Sequence, residues 1–432
     1  MKSLPLCSTT VLLTTFLFGA AGLPGLTLAT DDALDRARRL LRASPLIDGH
    51  NDLPWALREL SPDDPLAVDL HVLQEKLMTD MVKIREGGLG GQFWVCYVPA
   101  SAARTGQAAH LAQEQIDLIH RLVERYPDTL ELALTAGELR AAHARGRVGS
   151  LIGMEGGHMI ENSLPALRNA YRLGVRYMTL THSDNVDWAD SATDEPVHGG
   201  LTPFGKEVVR EMNRLGMLVD LSHVSDETMR DALRVSEAPV IFSHSSARSL
   251  ADHVRNVPDD ILRMVGDKKG VVMVNFSPTF VSAQVARARK GSFAAFRRFS
   301  RLYPANPAER KRAMDRWLEQ HPAPPATLSQ VADHMDHIRQ VAGVASVGIG
   351  SDFDGISSVP VGLEDVSRFP ALLAELLRRG WTEEDVTRAM GENLLRVLEQ
   401  AEKTAKRLQD QRSPSSARIE DFDAPGQRGG KP

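Results

Sequence analysis

The stretch Met217-Leu-Val-Asp-Leu-Ser-His223, met again in form as Pro239-Val-Ile-Phe-Ser-His244, is a short apolar run ending in a serine and a histidine. A nearly continuous apolar run, rather than an alternating one, predicts a parallel strand buried on both faces. Residues 225–233, between the two runs, carry the spacing of an amphipathic helix. Six further runs have the same character: residues 46–48, 92–98, 149–154, 176–180, 271–275 and 346–350. Helical patterns separate them, for example 202–215 and a start at Pro258-Asp-Asp with proline and acids in its first turn. Eight strands alternating with helices predict an α/β fold, a (β/α)8 TIM-type barrel forming a single catalytic domain over residues 30–405. An open, doubly wound sheet is the alternative, because counting strands does not show closure. No Gly-x-Gly-x-x-Gly follows the first strand, which removes the dinucleotide-binding version of that alternative. The link from Phe276 to Ser346 is long and holds Tyr303-Pro and His321-Pro, so an extra helical excursion is expected between strands 7 and 8, as a lid or a subunit contact.

The residues at the end of each run point to chemistry. The first run ends in Asp48-Gly-His50-Asn-Asp52, the third in Glu155-Gly-Gly-His158 and the fourth in Thr181-His182-Ser-Asp184. His223 and His244 close the next two, and Ser351-Asp352-Phe-Asp354 closes the last. In a barrel all these ends surround one mouth, where barrel enzymes place their active sites. A single strand-end histidine is more often a hydrogen-bonded structural residue than a ligand. Six polar strand ends on one rim are harder to explain structurally, because burying them unpaired is costly. A third His-x-Asp pair, His334/Asp336, falls in an expected helix over 328–341 and reads as a solvated face.

Composition narrows the metal. The chain has 432 residues, 42% hydrophobic and 25% charged, with a net charge of −5, which argues against a nucleic-acid partner. Two cysteines make neither a disulfide framework nor a thiolate zinc cluster, whereas fourteen histidines are plentiful. Imidazoles and carboxylates suit zinc, with manganese or cobalt possible. Three histidines and two carboxylates exceed the needs of one catalytic zinc. Two metals sharing a carboxylate and a hydroxide would use them all, and such pairs lower the pKa of bound water toward ~7, so hydrolysis is the expected chemistry.

The ends of the chain read differently from its centre. Lys2, the apolar run Val11-Leu-Leu-Thr-Thr-Phe-Leu-Phe-Gly-Ala20 and Thr27-Leu-Ala29 read as a signal peptide over residues 1–29 and an exported, periplasmic or extracellular protein. The run is interrupted and short for a bilayer span of ~20 residues, so no stable membrane anchor is expected. No apolar C-terminal stretch encodes a lipid anchor, and residues 406–432 read as a disordered polar tail.

Over residues 44–400 the sequence resembles the membrane (renal) dipeptidase family of the amidohydrolase barrels. The carriers are Ile47-Asp-Gly-His-Asn-Asp-Leu-Pro-Trp55, Gly91-Gln-Phe-Trp94, Gly153-Met-Glu-Gly-Gly-His158 and Gly174-Val-Arg-Tyr-Met-Thr-Leu-Thr-His182. Val219-Asp-Leu-Ser-His-Val-Ser225, Pro239-Val-Ile-Phe-Ser-His-Ser-Ser246, Arg255-Asn-Val-Pro-Asp-Asp260 and Gly350-Ser-Asp-Phe-Asp-Gly355 complete the set. The resemblance implies two zinc ions, Zn(2+), per chain. His50 and Asp52 would hold one, His223 and His244 the other, and Glu155 would bridge them. It implies hydrolysis of small dipeptides, including those with a C-terminal D-residue, and a homodimer. His182 would contact the substrate carbonyl and Asp352 would be the catalytic acid and base. Arg255 would receive the dipeptide's free carboxylate. After Asn275-Phe276 the family often carries aromatic hydroxyls, where this chain reads Ser277-Pro-Thr-Phe280. Two other readings compete with a dipeptidase: an amidohydrolase acting on another small amide, lactam or N-acyl amino acid, and a non-catalytic receptor on an inherited barrel.

Overall fold

The computed structural model describes residues 31–304 and 306–422. The expected leader and residues 423–432 lie outside them. Nine parallel strands are present: β1 Leu46–Asn51, β2 Leu89–Tyr97, β3 Leu130–Leu132, β4 Val148–Glu155, β5 Val175–Thr179, β6 Leu218–Asp220, β7 Ile241–Phe242, β8 Val271–Val274 and β9 Val347–Ile349. Their order is β2-β1-β9-β8-β7-β6-β5-β4-β3, and β2 also pairs with β4 from Gly91↔Gly149 to Tyr97↔Glu155. That last pairing closes eight strands into a barrel in a single domain, so the open-sheet alternative falls. The eight expected strands are the barrel strands. β3 is the one the sequence does not reveal, a Leu-Glu-Leu segment too short to show a period. It borrows Val148–Ser150 of β4, on the edge that β5 takes over only from Ile152.

Helices enclose the barrel, and their caps are those the sequence encodes. Thr202 caps Pro203–Leu215 by accepting from the Gly205 N–H at 3.2 Å, and Ser225 caps Asp226–Val235 through the Thr228 N–H at 3.2 Å. The excursion between β8 and β9 is helical: Pro278–Val281, Ala283–Ala288, Ser292–Leu302, Pro307–Gln320 and Leu328–Ala342. The two proline-containing breaks fall between its helices, where a ring without an N–H stops the ladder.

Two expectations are corrected. His334 is not on a solvated face: its side chain is buried, Nδ1 accepts from the Ala247 N–H at 3.0 Å and Nε2 donates to the Val281 carbonyl at 3.2 Å. An imidazole with both nitrogens satisfied is a stable core residue, and nothing in the helical period distinguishes it from an exposed one. The tail expected from residue 406 is ordered through Phe422. Helix Asn393–Gln411 buries Leu398, Ala401, Ala405 and Leu408 at three- and four-residue spacing. Beyond it the Ser415 carbonyl accepts from Arg168, the Ser415 N–H donates to Glu211, and Ile419 is buried. Among the described residues no helix is long and apolar enough to cross a membrane.

Candidate metal centre and active site

Glu155, the last residue of β4, is the hub of the mouth. Its Oε1 lies 3.0 Å from His223 Nε2, 3.4 Å from His244 Nε2, 3.5 Å from His50 Nε2 and 3.8 Å from His182 Nε2. His50 Nε2 also stands 3.3 Å from Asp52 Oδ2. Ligand atoms of three sets fall within 4.8 Å of one another: His50, Glu155 and His244; Glu155, His182 and His223; and His50, Asp52 and Asp352. Arg255, 1% exposed, reaches the same place, with Nη2 at 2.8 Å from His244 Nε2. The structure therefore brings together all eight residues singled out from the sequence. His182 stands among the candidate ligands rather than apart from them.

The backbone delivers these groups at some cost. His223 and Asp352 take positive φ values of 70° and 65°, the left-handed region that costs a non-glycine residue about 1–2 kcal/mol. The His223 turn is held by its own carbonyl, which accepts from the Ala192 N–H at 2.7 Å. At Gly355 an added Cβ would lie 2.2 Å from Asp52 Oδ2 and 2.6 Å from Asp352 Oδ1, so only glycine lets the backbone approach both carboxylates.

A second layer, which the sequence did not reveal, orients the imidazoles. His50 Nδ1 is 2.9 Å from the Tyr177 hydroxyl, and His244 Nδ1 is 2.8 Å from Ser243 Oγ. Ser243 Oγ donates to Asp220 Oδ2 at 2.7 Å, and Asp220 also accepts from Thr179 Oγ1 at 2.5 Å. Asn275 Nδ2 donates to Asp352 Oδ2 at 2.8 Å. Such partners fix which ring nitrogen carries the proton and turn the other toward the centre. One sequence signal was available for Tyr177. It pairs with Gly153 on the neighbouring strand, where a Cβ would sit 2.1 Å from the tyrosine Cζ. A glycine opposite an aromatic marks a ring folded across its neighbour. Trp55, Tyr97 and His182 form an edge-to-face series with centroids 5.0 Å apart at each step.

Charge is distributed unevenly. Burial raises Glu155 well above the usual carboxylate range, and raises Asp352 to about 6 against the pull of His50. Burial works against a charged His50, yet Glu155 and Asp52 beside it outweigh that and hold it up to about 10. Burial, with the Arg255 charge nearby, keeps His223 well below the usual imidazole range. Burial and then the His50 charge do the same for His244.

This donor set fits metal ions. The buried His50 Nε2 has no hydrogen-bond partner among the described residues, and four imidazole nitrogens face one carboxylate oxygen, with His223 Nε2 and His244 Nε2 only 2.9 Å from each other. Imidazole nitrogen and carboxylate oxygen without thiolate is a ligand set for a divalent cation of the zinc type.

Comparisons with known proteins agree with this geometry. The membrane dipeptidase model, peptidase family M19, matches residues 34–412. Dipeptidase 3 of Rattus norvegicus is 42% identical over 378 residues, covering 86% of this chain and 68% of the relative. Among solved structures, a protein of Pseudomonas aeruginosa described as "probable dipeptidase PvdM" superposes with a TM-score of 0.74 at 25% identity, covering 87% of this chain and 100% of that one. A metallo peptidase from Rhodobacter sphaeroides, liganded with a phosphinate mimic of the dipeptide L-Ala-D-Ala, gives 0.65 at 27% identity over 83% and 99% of the two chains. With its barrel closed and its rim assembled in this way, the chain belongs to the membrane dipeptidase family, peptidase family M19.

Proposed function

We propose that the chain is an exported zinc metallodipeptidase that holds two metal ions and hydrolyses dipeptides, including those with a C-terminal D-residue. The observation that carries the reading is the convergence of four histidine nitrogens on Glu155 Oε1 within 3.8 Å. His50 and Asp52 would hold one ion, His223 and His244 the other, and Glu155 both. When bound, the ions supply an activated water and a Lewis acid for the scissile carbonyl. The rest is the work of the chain. Asp352, raised toward neutrality by burial, accepts a proton from the attacking water and returns it to the leaving amine. His182, on the rim beside Glu155, donates to the oxygen on which charge develops. Arg255 offers its planar fork to the substrate carboxylate and so measures length from the scissile bond.

The name of the Rattus relative and the dipeptide mimic bound to the Rhodobacter protein support the substrate class. The Arg255 guanidinium asks for a free carboxylate but not for a free amine, so N-acyl amino acids are the second reading. Incubating the purified, metal-analysed protein with L-Ala-D-Ala, glycyl dipeptides and their N-acetylated forms separates the two. Chelator-sensitive cleavage of the free dipeptides, with two zinc equivalents per chain, is the expected result. Cleavage confined to the acetylated forms would shift the assignment, and full metal content without turnover of any of them would end it. Export and a homodimer belong to the same proposal, and are read by the mature N-terminus of secreted protein and by its mass in solution.

A further inference from the structure

Arg255 is a buried guanidinium with little polar support. Nη2 touches His244 Nε2, Nη1 reaches Ser245 Oγ only at 3.4 Å, and the buried Nε has no partner. Among the described residues no carboxylate stands within ion-pair distance of it. A guanidinium carries five donors and is planar, so something must set its plane if it is to meet a carboxylate with two parallel bonds. One group lies against that plane. Arg255 Cζ sits over the Phe280 ring, 5.3 Å from its centroid, and Phe280 is 6% exposed. The His253 imidazole also packs on Phe280, tilted with its centroid 4.6 Å away, and burial pushes it down to about 3.

The backbone that carries the ring is held at two points. The Phe280 carbonyl accepts from Asn256 Nδ2 at 2.8 Å, and Asn256, the residue after Arg255, accepts from the Ser246 N–H at 3.2 Å. One residue further on, the Val281 carbonyl is the acceptor for His334, whose other nitrogen is bound to the Ala247 N–H. The first turn of the excursion, Pro278–Val281, is thereby fastened to the loop after β7 that carries His244 and leads to Arg255. This gives a role to the Ser277-Pro-Thr-Phe280 segment and to the buried His334.

We propose that Phe280 is a positioning residue for the substrate carboxylate: its face holds the Arg255 guanidinium in the plane that a C-terminal carboxylate requires. The inference rests on the reading of Arg255 as the carboxylate receptor. Guanidinium–aromatic contacts contribute about 0.5–2 kcal/mol, or roughly a 2- to 30-fold change in binding. Both F280L and F280M keep an apolar filling and remove the π-face. They are expected to raise KM for L-Ala-D-Ala about 10-fold with kcat within about 2-fold and metal content unchanged, and F280W is expected to recover most of the loss. A purely structural role would instead lower Tm and leave the carboxylate preference alone. That preference is measured without turnover, as the ratio of affinities for N-acetylglycine and N-acetylglycinamide on the metal-loaded protein by calorimetry. Loss of the ratio in both folded F280L and folded F280M supports the proposal. An unchanged ratio in either folded variant overturns it, as does a fall in kcat with KM intact. If the unmodified protein prefers the carboxylate ligand but cleaves no dipeptide, the dipeptidase reading fails while the calorimetric comparison still decides the role of Phe280. If it shows no preference for the carboxylate, the receptor role of Arg255 fails and the proposal with it.

Discussion

The rim of the barrel has two unlike halves. On one side His50, Asp52 and Asp352 form a carboxylate-rich set, with Asp48 buried directly beneath at about 6. On the other, His182, His223 and His244 are three imidazoles that burial keeps neutral. One residue type therefore behaves oppositely a few ångströms apart. Glu155 and Asp52 push His50 up against its desolvation, while for the other three burial dominates and pushes them down. The supports differ as well. His50 leans on a phenol and His244 on a serine–aspartate pair, while the buried His223 Nδ1 has no hydrogen-bond partner. The difference teaches that the rim has a carboxylate-rich side and an imidazole side, meeting at Glu155 and at the His50–His244 contact, and is not a uniform ring.

Breaking the joint has the largest expected effect. Glu155→Gln is expected to lower kcat/KM by about three orders of magnitude and to bring metal content below one equivalent per chain, because both halves lose their common ligand. Retention of two equivalents with normal turnover would show the halves to be independent. Next come the supports, one for each half. Tyr177→Phe and Ser243→Ala are each expected to weaken one metal by about 10- to 100-fold, since partners of this kind tune ligand basicity and orientation. Competition titration with a chelating dye reads each loss, and if both variants weaken the same metal the division into halves is wrong.

A smaller effect tests the packing that makes the first half possible. In Gly153→Ala the new Cβ meets the Tyr177 ring, and overpacking of this kind costs about 1–3 kcal/mol. Denaturant unfolding checks the stability, and the His50 half is expected to lose metal first. The last effect, of comparable size but confined to acid pH, lies off the rim. Burial depresses His334 to about 4 in the folded chain, below its ordinary 6.5. The unfolded chain therefore takes up the proton first, so this stability term is complete above pH 6.5 and is lost as pH falls toward 4. Its size is at most about 3 kcal/mol. In His334→Asn that part of the acid slope should flatten; a slope identical to the parent's would assign it to other groups.

Much of this was legible in the sequence. The eight barrel strands announced themselves as continuous apolar runs, because parallel strands are buried on both faces. The gathering of the candidate ligands was legible because a barrel brings every strand end to one mouth. The supports were not. Tyr177, Asp220 and Ser243 lie inside or at the ends of strands, where their side chains look like any other interior position, and only the closed barrel shows which imidazole each one touches. His334 misled for the opposite reason, since one helical face looks the same to the sequence whether it meets water or a neighbouring turn. The order of residues 406–422 depended on a groove beside helix Pro203–Leu215 that no local pattern reports.

The hydrogen bonds of Asp48 to Ser351, 2.7 Å to its N–H and 2.6 Å to its hydroxyl, join positions 303 residues apart. They tie the first barrel strand to the loop after the last. Closing so distant a pair carries a large loop entropy and is slow relative to local helix formation. The candidate set His50, Asp52 and Asp352 draws on both β1 and the loop after β9, so it comes together only when these distant parts of the chain have met. A metal held by that set would bind the closed barrel and not its separate parts, and would stabilise the closed form by mass action.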